Sequence, residues 1–184
     1  MRLDPDVIMV GEIRDSETAN TAVQSALTGH TVLSSIHAND APGALIRLAD
    51  LGVERYLLVS SVVGIVAQRL VRQICPHCRV EKEPTLQERA AYREEMGQEL
   101  ISCFAGEGCN FCGQTGYLGR TGVFEVLTVG DSIRELLMRS ASASDMKAEA
   151  IRRGMIPMRR DGMLKVKQGV TTPSEVMKNV YTLG

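Results

Sequence analysis

Tryptophan is absent from the 184 residues, and only three phenylalanines and four tyrosines are present. Nucleic-acid surfaces usually interleave bases' aromatic partners with basic residues, so a nucleic-acid reader is not expected here. Long apolar runs are also missing. The nearest approach, Tyr56 to Ala67, is interrupted by Ser60, Ser61 and Gly64 and falls short of the roughly 20 residues that span a bilayer. The opening Met1-Arg2-Leu3-Asp4-Pro5-Asp6 is charged and proline-broken, which excludes a secretory leader at this position and predicts a cytosolic start. No glycine is followed by lysine, so a GxxxxGK[ST] phosphate loop does not occur within these residues. Neither sign of charge is in excess, since 21 Lys+Arg stand against 22 Asp+Glu for a net −1. That balance hides an asymmetry: residues 133–184 carry ten Lys+Arg against five Asp+Glu, a basic stretch that suits either a docking face or an ordinary solvated surface.

What is present begins with a βαβ pattern. Val7-Ile8-Met9-Val10, closed by Gly11, predicts a strand buried on both faces of a parallel sheet. Ala19, Ala22, Val23, Ala26 and Leu27 recur at helical spacing, with Asp15 and Glu17 at the start and Gly29 at the stop. Thr31 to Ile36 predicts a second strand. The two strands must then run parallel, because such crossovers are right-handed in nearly all known cases. Glu12 and His37 therefore arrive at one carboxyl edge, where open α/β sheets bind ligands. Asp40 is positioned to cap a further helix, and a longer apolar helix is predicted over roughly Leu57 to Leu70.

Beyond Arg72 the texture changes. Cys75-Pro76-His77-Cys78 and Cys109-Asn110-Phe111-Cys112 form two thiolate pairs, and four soft ligands favour one tetrahedral zinc over a redox dithiol or unpaired thiols. A four-cysteine sphere is closed, so the metal is expected to be structural. His77 lies between two thiols that already serve the metal and is not expected as a ligand; Cys103 reads as a small core residue. The charged stretch Leu86 to Glu99 reads as an insertion between the pairs. From Asp131 onward, helices are predicted after Ser132, after the Ser142-x-x-Asp145 box, over Arg159 to Lys167, and after Thr172-Pro173-Ser174-Glu175.

These residues resemble a known family. Asp4 to Asp15 (DPDVIMVGEIRD) is similar to the Walker B segment of type II secretion and type IV pilus assembly ATPases, and Thr28-Gly29-His30 through His37-Ala38-Asn39-Asp40 to their histidine box. Gln68-Arg69-Leu70, the two cysteine pairs, Gly116 to Gly122, and Asp161-Gly162 through Thr171-Thr172 extend the resemblance over the whole chain.

The resemblance implies an α/β fold in three parts. Residues 1–72 would be part of a RecA-like P-loop NTPase core, 73–127 a zinc subdomain, and 128–184 a helical carboxy-terminal subdomain. It also implies a cytoplasmic homo-hexamer beneath an inner-membrane platform, using ATP and Mg2+, with Glu12 as the Walker B catalytic glutamate and His37 as the histidine-box residue on the phosphate side. Arg14 and Asp15 complete the segment without an assigned role. Pro42-Gly43-Ala44 and Ser60-Ser61-Val62-Val63-Gly64 look more like the secretion branch than the pilus branch. The strand and helix carrying the phosphate loop are expected upstream of residue 1. A zinc ribbon that binds nucleic acid, or an adaptor without hydrolytic ancestry, is the competing reading. The acids Glu81, Glu83 and Glu107 near the cysteines weigh against the former.

Overall fold

The computed structural model describes residues 5–181; Met1 to Asp4, including the first aspartate of the Asp4-Pro5-Asp6 pattern, lie outside the described residues. The chain divides into two compact units. One comprises residues 1–67 and 126–155, the other 68–125 and 156–184. The helices after residue 130 are shared between the two units, and the boundary passes through two strands.

The first unit is the expected βαβ. Strand β1 (Val7–Ile13) pairs in parallel with β2 (Thr31–Ile36), joined by helix α1 (Ser16–Leu27). Asp15 starts α1 by accepting the Thr18 amide at 2.8 Å, a cap that also holds its carboxyl below the usual carboxylate range. Helix α2 (Ala41–Asp50) is capped by Asp40 on the Gly43 amide at 2.9 Å, and α3 (Arg55–Ser61) follows.

Two expectations are corrected here. Strand β1 is not buried on both faces: its residues alternate between exposed and partly buried, with Val7 and Met9 exposed. The apolar run after Leu57 is not one helix either. Val62 turns extended, and β3 (Gly64–Ile74) begins where Val62, Val63, Ile65 and Val66 crowd together β-branched side chains that favour a pleated strand. Strand β3 pairs with a later strand, β6 (Tyr117–Thr128).

Helices α5 (Asp131–Met138) and α6 (Ala143–Arg152) complete this unit, the latter opened by the expected Ser142/Asp145 capping box. Ala19, Val23, Leu45, Leu58, Leu127, Leu137 and Met146 share its core. Arg55 donates to the Leu137 carbonyl at 3.1 Å, and Lys147 to Asp40 at 2.9 Å, tying α5 and α6 to the helices that follow β2.

In the second unit, β4 (Arg79–Lys82) and β5 (Cys103–Gly106) pair antiparallel from Arg79↔Gly106 to Lys82↔Cys103. The charged insertion between them folds as helix α4 (Leu86–Met96), with a full capping box between Thr85 and Glu88 and Gly97 in the left-handed region at its end. Ala91 and Tyr92 of α4 pack with Leu100, Cys103, Met163, Val166 and Val176, so Cys103 is the core residue anticipated. Helix α7 (Met158–Lys167) and the short α8 (Pro173–Val176), continued as a wide turn to Tyr181, form the other wall.

Thr172 caps α8, but Glu175 does not complete the expected reciprocal box. Its carboxylate instead takes the Arg72 amide at 3.1 Å and the Arg72 guanidinium at 2.6 Å. The Arg72 guanidinium also covers the Tyr117 ring, 4.0 Å from its centroid.

Candidate functional site

The acid and the imidazole meet at the carboxyl ends of β1 and β2. Pairing runs regularly to Val10↔Ser34 and resumes at Ile13↔Ile36. Two residues, Gly11 and Glu12, therefore face Ser35 alone. Such a bulge twists a strand and re-aims one side chain. Gly11 tolerates it, and its carbonyl accepts the Ser35 hydroxyl at 2.8 Å, closing the irregularity.

The consequence is a short contact: His37 Nε2 lies 2.8 Å from Glu12 Oε1, while Arg14 Nε bonds Glu12 Oε2. His37 is 87% exposed and the Glu12 side chain 25%, so the pair opens to solvent and is not a satisfied core contact. An exposed ion pair adds little stability; its placement matters more than its energy. The carboxylate can orient a water or a hydrated cation, and the imidazole and guanidinium can meet anionic oxygens. Arg14 is the residue whose part sequence reasoning missed, although its i+2 spacing from Glu12 would set both on one face of an extended chain.

The four cysteines converge as well. The sulfurs of Cys75, Cys78, Cys109 and Cys112 all lie within 4.8 Å of one another. Neighbouring pairs stand 3.8 Å (Cys75–Cys109), 3.9 Å (Cys78–Cys112) and 3.7 Å (Cys109–Cys112) apart. A zinc–sulfur bond of about 2.3 Å puts tetrahedral ligands about 3.8 Å apart, the spacing of these three pairs, so the donor set suits that ion.

Backbone amides are aimed at the sulfurs: Gly108 at Cys78 (3.3 Å), and Cys109 and Gly116 at Cys112 (3.2 and 3.3 Å). Burial opposes ionisation of Cys112, yet these two amides, together with the Cys109 and Cys78 thiols, overcome it and bring its thiol down to about 6. Burial dominates at Cys78, pushed up to about 12 despite the Gly108 amide. A cation would favour the thiolate at all four.

Close backbone approach sets this geometry. A Cβ on Gly106 would sit 2.0 Å from the Gly116 carbonyl oxygen, and that same oxygen accepts the Cys75 amide at 3.0 Å. His77 is not among the convergent donors. It stacks on Phe111 with centroids 4.1 Å apart, pairing the tips of the two cysteine loops.

Comparison with known proteins settles the relationship. Residues 1–178 match the family described as Type II/IV secretion system protein. The chain belongs to this family. Among its relatives, the Type IV pilus assembly ATPase TfpB of Acinetobacter baylyi is 45% identical over 184 residues, covering 98% of this chain and 31% of the relative. The Type II secretion system ATPase E of Vibrio cholerae serotype O1 is 46% identical over 178 residues, covering 97% and 35%.

The chain thus spans about a third of the length of the curated relatives it matches. Among solved structures, the Legionella pneumophila ATPase DotB superposes with a TM-score of 0.61 at 21% identity, covering 96% of this chain and 39% of DotB. That likeness places the α/β fold. The family members named for pilus assembly and for secretion are equally similar to this chain.

Proposed function

We propose that this chain is the carboxy-terminal part of a cytoplasmic, hexameric ATPase that powers type II protein secretion. The observation that carries the reading is the Glu12–His37 contact of 2.8 Å at the carboxyl edge of β1 and β2, in a chain of a family whose named relatives are ATPases. MgATP supplies the phosphoanhydride to be cleaved and the charge that the site must balance. Glu12, the proposed Walker B glutamate, orients the attacking water or the hydrated magnesium. His37 faces the phosphate side. Phosphoryl transfer depends mostly on positioning and electrostatics, and a bulge that fixes one carboxylate beside one imidazole supplies the positioning.

The cysteine cluster holds a structural zinc through Cys75, Cys78, Cys109 and Cys112. Its four sulfurs leave no ligand position for a reactive water, so its contribution is to the fold. The phosphate grip is not among these residues, since no GxxxxGK[ST] occurs in them, and the 184 residues alone are expected to be inactive. Assembly of a type IV pilus is the second reading, favoured by the 45% identity to a pilus assembly ATPase. The lean towards secretion rests on Pro42-Gly43-Ala44 and on Ser60 to Gly64. A nucleic-acid role is opposed by the exposed acids Glu81, Glu83 and Glu107 of the second unit.

In the full-length ATPase, Glu12→Gln should keep ATP binding and lose hydrolysis, by about a hundredfold or more in kcat. Equilibrium nucleotide binding and phosphate release, measured on one preparation, check this. Turnover within a few-fold of the unaltered enzyme would remove Glu12 from the catalytic role.

A further inference from the structure

The geometry points to Arg14 as a positioning residue that fixes the Glu12 carboxylate from the side opposite His37; the inference rests on the catalytic role proposed above for Glu12. One oxygen of Glu12 is taken by His37 and the other by Arg14 Nε. A carboxylate held at a single oxygen still swings about its last torsion, which is broad and roughly two-fold. Held at both, it has one plane. The β1 bulge sets where the side chain starts, and the two donors set how its end is turned.

The clamp does not block chemistry. A carboxylate offers about four acceptor positions, so the two bonds leave room for a water. Arg14 is also placed to act locally. It follows β1 immediately, precedes the Asp15 cap of α1, and exposes 74% of its side chain. Nothing in its surroundings suggests that the fold depends on it, because an exposed pair of this kind is worth little in stability. Its guanidinium is planar and permanently charged, with an Nε–H that lysine cannot reproduce. Lysine should therefore restore the charge but not the orientation.

The test has two arms. In the isotopically labelled 184-residue chain, the Arg14 Nε–H proton should resonate downfield of the other exposed arginines and exchange slowly, and both features should vanish in Glu12→Gln. In the full-length ATPase, Arg14→Gln should lower kcat about tenfold while KM for MgATP stays within about twofold and the melting temperature is unchanged. Arg14→Lys should recover about a third of the lost rate.

An Arg14 proton indistinguishable from those of other exposed arginines overturns the clamp. So does an unaltered kcat in Arg14→Gln while Glu12→Gln is inactive, an outcome that leaves the proposed ATPase reaction standing. A rise in KM at constant kcat would make Arg14 a nucleotide-binding group and overturn positioning. Normal turnover in Glu12→Gln would instead overturn the catalytic role of Glu12 on which the clamp rests, and the clamp with it.

Discussion

The two units of this chain are held together by different means. Among the described residues, the first packs sixteen buried residues, from Ile13 to Met155, into one apolar cluster, whereas the cluster around Tyr92 and Met163 in the second holds seven, with Val71, Ile74, Val123 and Met158 buried outside it. The deficit in the second coincides with four convergent thiols and a carboxylate–guanidinium contact between Glu175 and Arg72. Where a segment is too polar to stabilise itself by burial, ligation supplies what the core does not. The edge bearing Glu12 and His37 belongs to the unit that needs no such help.

Metal removal should separate the two most sharply. A chelator, or Cys109→Ser, is expected to abolish hydrogen-exchange protection in residues 73–127 and leave β1, α1 and β2 protected. The binding energy of a structural zinc, on the order of 10 kcal/mol, is folding energy only for the module it closes. Equal loss in both units would break the comparison. Freshly purified, reduced protein should hold about one zinc per chain by metal analysis, since two cysteine pairs make one tetrahedral site.

The reverse experiment removes apolar volume from the first unit. Leu45 is fully buried, and Leu45→Ala should cost about 3 kcal/mol without changing zinc content. Denaturant unfolding with parallel metal analysis checks both halves. A loss of zinc at full stability would reverse the roles assigned to the units.

How much of this contrast was legible beforehand depended on the kind of signal. The βαβ unit, the Asp40 cap, the Ser142 box and the cysteine pairs each rest on short-range patterns with one physical meaning, and the structure shows each element where its residues predicted it. The run from Leu57 onward failed because continuous apolar stretches have no period to separate strand from helix. Helix α4 was not anticipated: its Thr85–Glu88 capping box stands at the head of a stretch that reads only as a charged insertion. At α8 the local box was overridden: the buried Glu175 found a partner 103 residues away in Arg72, and no local rule reports that. The aim of Glu12 was likewise invisible, because a bulge appears only when two strands are aligned.

A finer comparison sets the ion pair of a buried carboxylate, Glu175, against that of a part-exposed one, Asp40. Burial pushes the Glu175 carboxyl up, but the bonds from Arg72 outweigh it and hold the group below its ordinary value of 4.5. A group with a depressed folded value stabilises the fold above its unfolded value, and the contribution is lost as pH falls through the folded one. The second unit should therefore weaken below about pH 4.5. Glu175→Gln should cost about 2 kcal/mol at neutral pH and flatten that acid dependence, as read by denaturant unfolding across pH. Lys147→Ala, which removes the half-exposed partner of Asp40 in the first unit, should cost less than about 1 kcal/mol. A larger loss there than at Glu175 would show that the first unit also leans on its ion pairs.

The central claim is that these residues supply the hydrolytic edge of an ATPase without its phosphate grip. Phosphate release by the purified 184-residue chain, at high protein concentration with MgATP and with Glu12→Gln as the contamination control, tests it most directly. The account predicts no release above that control, and no rise in melting temperature on adding MgATP, because a ligand stabilises a fold only as its concentration exceeds its dissociation constant. Release that disappears in Glu12→Gln would contradict the claim and place a working phosphate site within these residues.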